Sequence, residues 1–200
     1  MEVREPAIAY GKKKYSIEEY LEMEDSATEK HEYYQGEIFA MSGAKHQHNL
    51  VIRNVYKSLL FKLDGKPCQP LGSDSRVHIE ANTLFTYPDI SVVCGEPKFR
   101  NDDEMNLLNP TVIVEVLSLS TRKYDKGEKF ELYRAIPTLK EYITVDPEMI
   151  VIDAWRINAN GRWELVPYSS MTDTLVIDSI ATTIPLTDIY EGTKIALAQP

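Results

Sequence analysis

Two carboxylates stand where apolar side chains are expected. In NPTVIVEVLSLST, residues 109–121, Glu115 interrupts a strand-like run of Val112, Ile113, Val114, Val116 and Leu117. In YPDISVVC, residues 87–94, Asp89 follows Pro88 and directly precedes a second such run. Ionised side chains are rarely left in apolar surroundings without a partner. Acids on adjacent strands can point to the same face of a sheet. At close range they repel, so that one takes up a proton or a cation joins them. One or two carboxylates completed by waters suit Mg²⁺ or Mn²⁺. Each acid also has a plainer reading. Asp89 could cap a strand start, and Glu115 could be salt-bridged to a core cation such as Arg53 or Arg76.

A cation follows at short range. The stretch KYDKGEKFELYRAI, residues 123–136, reads as one helix closed by Pro137. Asp125, Lys129 and Tyr133 are spaced i, i+4, i+8 and so share a face. If Lys129 points back over the sheet, it balances the acids and stabilises a developing oxyanion. If it points outward, the face is solvated and carries an Asp–Lys pair. Lys126 is the competitor, rotated by about 60° from the Lys129 face at 100° per residue.

These residues need a scaffold. Ser16 with Glu19 has capping-box spacing and starts a helix over about 16–24. HEYYQGEIFAMSG reads as a hairpin turning at Gly36, with Glu37 just after the turn. Residues 46–63 carry Leu50, Val51, Val55, Leu59 and Leu60 at helical spacing. The period then changes to two, and CQPLG, SRVHIE and YPDISVVC are strand candidates. A polar loop covers about 95–110, and TVIVEVLSL is the next strand. KEYITVD, MIVIDAWRI and RWELVPYS follow as a meander, with one or two short strands after it. The expected fold is a mixed α/β or α+β single domain. Helices flank a central mixed sheet whose middle is formed by strands between 70 and 117. The expected boundaries are a leader over 1–15, the domain over 16–190 and a tail over 191–200.

The bulk numbers narrow the partners. The 200 residues carry a net charge of −9, and the pI is about 5.0. A chain this acidic meets nucleic acid only through a local basic patch or a metal. No apolar run reaches the roughly 18 residues of a membrane span, and the N-terminus lacks a signal-type apolar core. Cys68 and Cys94 are too few for a disulfide framework and lie in apolar segments. They read as two buried free thiols, which fits a reducing cytoplasm.

A P-D at a strand start, followed by an acid inside an apolar strand, resembles the PD-(D/E)XK nuclease superfamily. The blocks GEIFAMSGAKHQHNLVIRNV, GSDSRV, TYPDISVVCGEPKF, LLNPTVIVEVLSLST and YDKGEKFELYRAIPTLKEYITVD resemble, in order, those of the Uma family of restriction-type endonucleases. The resemblance spans roughly 16–190 and implies a restriction-endonuclease-like core acting on DNA. It implies Asp89 and Glu115 as ligands of Mg²⁺ (or Mn²⁺). It implies Glu37 as an early acid of the site and His48 as a residue near substrate, with Lys126 beside it. Asp74 in GSDSRV would hold a loop nearby. The superfamily lysine normally stands two residues after the second acid, where this chain has Leu117. The resemblance implies that Lys129 replaces it from the helix. A one-site enzyme cutting both strands of a duplex is simplest as a homodimer. A nuclease fold with idle chemistry, acting in binding or regulation, is the alternative.

Overall fold

The computed structural model describes residues 13–197. Most of the expected leader, residues 1–12, and the end of the tail lie outside the described residues. The chain begins with α1 (Ile17–Ser26), closed by a reciprocal capping box in which Ser16 Oγ accepts the Glu19 N–H and Glu19 accepts the Ser16 N–H. The hairpin β1 (His31–Tyr34) and β2 (Glu37–Ala40) follows. Gln35 and Gly36 form its turn with φ of 48° and 86°, the conformation a two-residue hairpin needs. A Cβ at Gly36 would also stand 2.9 Å from Lys14 Cδ, so that the lysine side chain would have to shift. Helix α2 (His46–Leu63) comes next, then β3 (Cys68–Gly72), β4 (Arg76–Ile79), β5 (Leu84–Thr86) and β6 (Ile90–Cys94). The expected polar loop holds a short strand, β7 (Asn106–Leu107), ahead of β8 (Val112–Val116). Two short helices, α3 (Arg122–Asp125) and α4 (Glu128–Tyr133), lead to β9 (Glu141–Val145), β10 (Ile152–Ile157) and β11 (Trp163–Tyr168). The last elements are the hairpin β12 (Thr174–Ile177) and β13 (Thr182–Pro185), then α5 (Leu186–Ile189) and α6 (Lys194–Leu197). Among the described residues no helix is long and apolar enough to cross a membrane.

The fold is mixed α+β, but its strands do not form one central sheet. A five-stranded sheet runs β2-β1-β5-β4-β7 and a six-stranded sheet runs β11-β10-β9-β8-β6-β3. The strands between 70 and 117 are therefore divided. β6 and β8 lie inside the larger sheet, while β4 and β5 belong to the smaller. The split has a physical basis in the pairing partners, because β5 also pairs with the early hairpin strand β1. Such long-range pairing is not written in local periodicity. One face of the six-stranded sheet packs Val92, Val114 and Ile143 against α2 and the C-terminal hairpin. The other packs Val93, Ile113 and Tyr142 against α4 and, through Val77, Ile79 and Leu84, against the smaller sheet. The outer side of that sheet closes on α1 through Tyr20, Tyr33 and Phe85.

Two other expectations change. The helix expected over 123–136 breaks at Gly127, whose φ of −127° and ψ of −95° leave the helical region. A Cβ there would meet the Lys123 carbonyl at 3.2 Å, and glycine is among the weakest helix formers. The cysteines are not free thiols. β3 pairs antiparallel with β6 so that Cys68 faces Cys94, and the two sulfurs are bonded. Twenty-six residues of sequence separation hid a cross-strand contact. The thiol argument for a reducing compartment falls with it.

Candidate functional site

The two acids are brought together by strand register. β6 and β8 pair antiparallel with Ile90 opposite Val114, so one further step sets Asp89 opposite Glu115. The Asp89 carboxylate takes the place of a ladder carbonyl, as Oδ2 accepts the Val116 N–H at 2.7 Å. Glu115 Oε2 reaches back to the Asp89 N–H at 3.4 Å, a long and weak contact. Every residue of β8 is buried, and Glu115 keeps only 5% of its surface exposed.

Topology supplies the lysine. β8 and β9 are parallel, and parallel neighbours need a crossover connection that packs back over the sheet. That crossover is α3–α4. Despite the break at Gly127, it lays Lys129 and Tyr133 over β8. Lys129 Nζ lies 2.9 Å from Glu115 Oε1, and the Tyr133 hydroxyl donates to the same oxygen at 2.9 Å. Lys129 Nζ also meets Glu32 Oε1 at 3.1 Å and Asp125 Oδ1 at 4.0 Å. Glu32 comes from β1 and is further held by the Thr86 hydroxyl. Leu117, two residues beyond Glu115, is buried core.

Three carboxylates (Glu32, Glu115 and Asp125) thus surround one lysine, and a fourth, Asp89, stands beside Glu115. Burial pushes the Glu115 carboxyl up to about 8, with Lys129 opposing and Asp89 and Asp125 adding to the rise. Burial raises Asp125 likewise. Burial disfavours the Lys129 ammonium, but Glu115 and Glu32 outweigh it and hold the group protonated. His48, in the first turn of α2, places Nε2 3.5 Å from Asp89 Oδ2. Burial lowers its pKa, and the hydrogen bond and charge of Asp89 more than reverse that.

Other expected residues stand elsewhere. Glu37 is at the exposed edge strand and pairs with Lys14 at 2.7 Å, because its strand borders the smaller sheet on the solvent side. The acid this hairpin sends to the cluster is Glu32. Lys126 turns from the acids and pairs with Asp153 at 2.7 Å, as its rotation from the Lys129 face requires. Asp74 is 97% exposed and pairs with Lys30. Arg76 binds Asn106 and Tyr87, and Arg53 binds Asn54, so neither is the partner of Glu115. Sequence reasoning passed over Glu32. In HEYY, His31 and Tyr33 are buried under α1 and Glu32 faces the other way, but nothing local says what it meets.

The donor set fits a hard cation that keeps its water. Glu115 Oε2 is left with only the long Asp89 contact, and the acids exceed the nearby positive charge. Among the described residues no three His, Cys, Asp or Glu side chains form a closed ligand set. Two carboxylates without a protein cage are the ligand pattern of Mg²⁺, which dehydrates reluctantly.

Comparison with known proteins agrees with this architecture. The Uma2 family, described as "Putative restriction endonuclease", matches residues 17–187. An uncharacterized protein of Synechocystis sp. (strain ATCC 27184 / PCC 6803 / Kazusa), slr1290, is 38% identical over 181 residues, covering 90% of this chain and 93% of its own. A second protein of that organism, sll1609, is 37% identical over 147 residues, covering 74% of this chain and 83% of its own. The crystal structure of "a putative nuclease belonging to DUF820" from Anabaena variabilis ATCC 29413 superposes with a TM-score of 0.71 at 14% identity. It covers 86% of this chain and 96% of that one, which establishes the shared fold.

Proposed function

Since the chain belongs to the Uma2 family, we propose that it is a metal-dependent endonuclease hydrolysing phosphodiester bonds of DNA at the Asp89–Glu115–Lys129 cluster. The observation that carries the reading is the meeting of two register-paired acids with a buried lysine delivered by the crossover helix. Asp89 and Glu115 would hold Mg²⁺ (or Mn²⁺). When bound, such an ion lowers the pKa of a water and polarises a phosphate oxygen.

The chain's own residues divide the remaining work. Lys129 stays protonated at neutral pH, so it acts as a fixed charge towards the scissile phosphate and not as a base. Tyr133 and Lys129 both hold Glu115 Oε1, which aims Oε2 towards Asp89. Glu32 and Asp125 keep the Lys129 charge in place. His48 orients Asp89 from the start of α2. One site cuts one strand, so a double-strand cut calls for a homodimer. On this reading the chain works in the cytoplasm, where it would meet DNA.

The second reading is a nuclease fold with idle chemistry, acting in binding or regulation. Its support is that Glu115 Oε1 is already satisfied by Lys129 and Tyr133, as in a purely structural salt bridge. Calorimetry with Mg²⁺ or Mn²⁺ on the wild type and Asp89→Ala, followed by plasmid nicking, separates the two. Binding lost in the variant together with nicking by the wild type supports the nuclease. A metal-indifferent protein that leaves plasmid intact supports the second reading.

A further inference from the structure

A groove of about 490 Å³ opens between α4 and the β10–β11 hairpin. Its walls carry Phe130, Trp155 and Trp163 together with Lys126, Arg134 and Arg162. The rings are mutually arranged: Phe130 lies 5.0 Å from Trp155 and meets Trp163 edge-on at 5.3 Å. Both tryptophans are only half-buried. The Arg134 guanidinium stands 5.7 Å from the Phe130 ring centre and is tied to Glu131, the one acid of the lining, at 2.8 Å. Lys126 is paired to Asp153. Arg162 is exposed and, among the described residues, has no ion-pair partner. With Lys126 and Arg134 each matched by an acid, Arg162 leaves a local positive charge on a chain of net charge −9.

The groove lies on the same sheet face as the acid cluster. Ile113 pairs with Tyr142, and Tyr142 with Trp155. Glu115 is two residues from Ile113 and so points to the same side. Strand spacing places Trp155 about 12 Å from Glu115, backbone to backbone. α4 stands between, turning Lys129 to the acids and Phe130 and Arg134 to the groove.

The geometry points to a binding site for an unpaired nucleotide, whose base stacks on Trp155 and Trp163 while Arg134 and Arg162 take the flanking phosphates. Aromatic faces beside arginines are the means by which proteins hold single strands. A base stacked inside a duplex has no free face to offer. The inference deepens the nuclease reading and rests on it, for it names the form in which a strand passes the acids.

The chain has two tryptophans, and both line the groove, so intrinsic tryptophan fluorescence reports this site alone. The full chain in EDTA is titrated with short oligothymidylate, with oligouridylate, with a blunt DNA hairpin and with inorganic polyphosphate. Saturable quenching by one or both single strands is expected, with a preference between them identifying DNA or RNA as the source. Arg134→Ala with Arg162→Ala should weaken that binding about tenfold and reduce the salt slope by about 0.7 per lost phosphate contact. Both side chains are exposed, so folding is not at stake. The inference is overturned if neither single strand quenches, if the hairpin binds as tightly, if polyphosphate quenches equally, or if the arginine variants bind like wild type. Quenching without any metal-dependent cleavage would keep the groove and remove the nuclease. Cleavage without quenching would do the reverse.

Discussion

Glu24, near the end of α1, and Glu115, inside β8, are both buried carboxylates, at 8% and 5% exposure. Around Glu24 the donors match the acceptor. The His31 N–H and the Tyr87 hydroxyl reach Oε1 at 2.9 and 2.8 Å, and His31 Nδ1 meets Oε2 at 2.9 Å. Arg76 stands beside Tyr87 and Tyr20. Around Glu115 the balance fails, since Glu32 and Asp125 share its one lysine while Asp89 stands opposite it across the strands. A fully satisfied buried network fixes a structure. A buried excess of one charge is costly unless something further arrives to compensate it. The first arrangement locks α1 to the hairpin, and the second leaves more acids than cations in one buried place.

The comparison breaks most sharply in activity. Asp89→Ala or Glu115→Gln should reduce metal-dependent nicking by about 10³-fold or more, the scale of losing electrostatic stabilisation at a reacting centre. Glu115→Gln should nonetheless unfold within about 1 kcal/mol of wild type, because Lys129 keeps Glu32 and the acid excess falls. Glu24→Ala should leave nicking per folded molecule unchanged. If Glu24→Ala abolished nicking in folded protein, the two regions would not be separable in role.

The next effect is on stability. Lys129→Met removes the one cation that three buried or half-buried acids share. It should cost about 3–5 kcal/mol near neutral pH, the usual cost of leaving buried charge uncompensated. The loss should shrink as pH falls and the carboxylates take up protons. Urea unfolding at two pH values measures it, and a loss independent of pH would mean that packing, not charge, is what Lys129 supplies. Glu24→Ala should cost less, about 2–3 kcal/mol, from buried donors left without an acceptor. A near-neutral result would show that water replaces the carboxylate and that the network is not the lock described here.

The acid pair was legible because each carboxylate interrupts an apolar run, and Lys129 because it lies four residues from Asp125. Those signals are local. Their joining depends on β8 and β9 being parallel, which the long charged segment between them suggests. Glu32 was illegible because nothing near HEYY says that α4 packs over that hairpin. The disulfide and the division into two sheets were hidden for the same reason, since both follow from which distant strands pair. Gly127 stood inside the stretch read as one helix, and its weak helix propensity was not weighed there. The break left the spacing of Asp125, Lys129 and Tyr133 useful because both short helices pack on the same face.

The smallest effect contrasts Glu115 with a buried base in the other sheet. His78, on β4, is 5% exposed and stacks on Phe85 at 3.9 Å between ring centres, and neither ring nitrogen has a hydrogen-bond partner among the described residues. Burial first, then the charge of Arg100, lowers its pKa to about 4. The folded protein thus keeps His78 neutral where the unfolded chain, near 6.5, takes a proton. Its contribution is complete above about 6.5 and is lost as pH falls towards 4. By pH 5.5 the loss should be about 1 kcal/mol. Glu115, with its pKa raised, acts in the opposite sense, since the folded state holds the extra proton and stability falls as pH rises from 4.5 towards 8. The urea midpoint of wild type should therefore fall relative to that of His78→Phe as pH drops from 7.5 to 5.5. Parallel curves would mean that His78 takes up its proton in the fold as it does in the unfolded chain, so that its burial does not disfavour the charged ring.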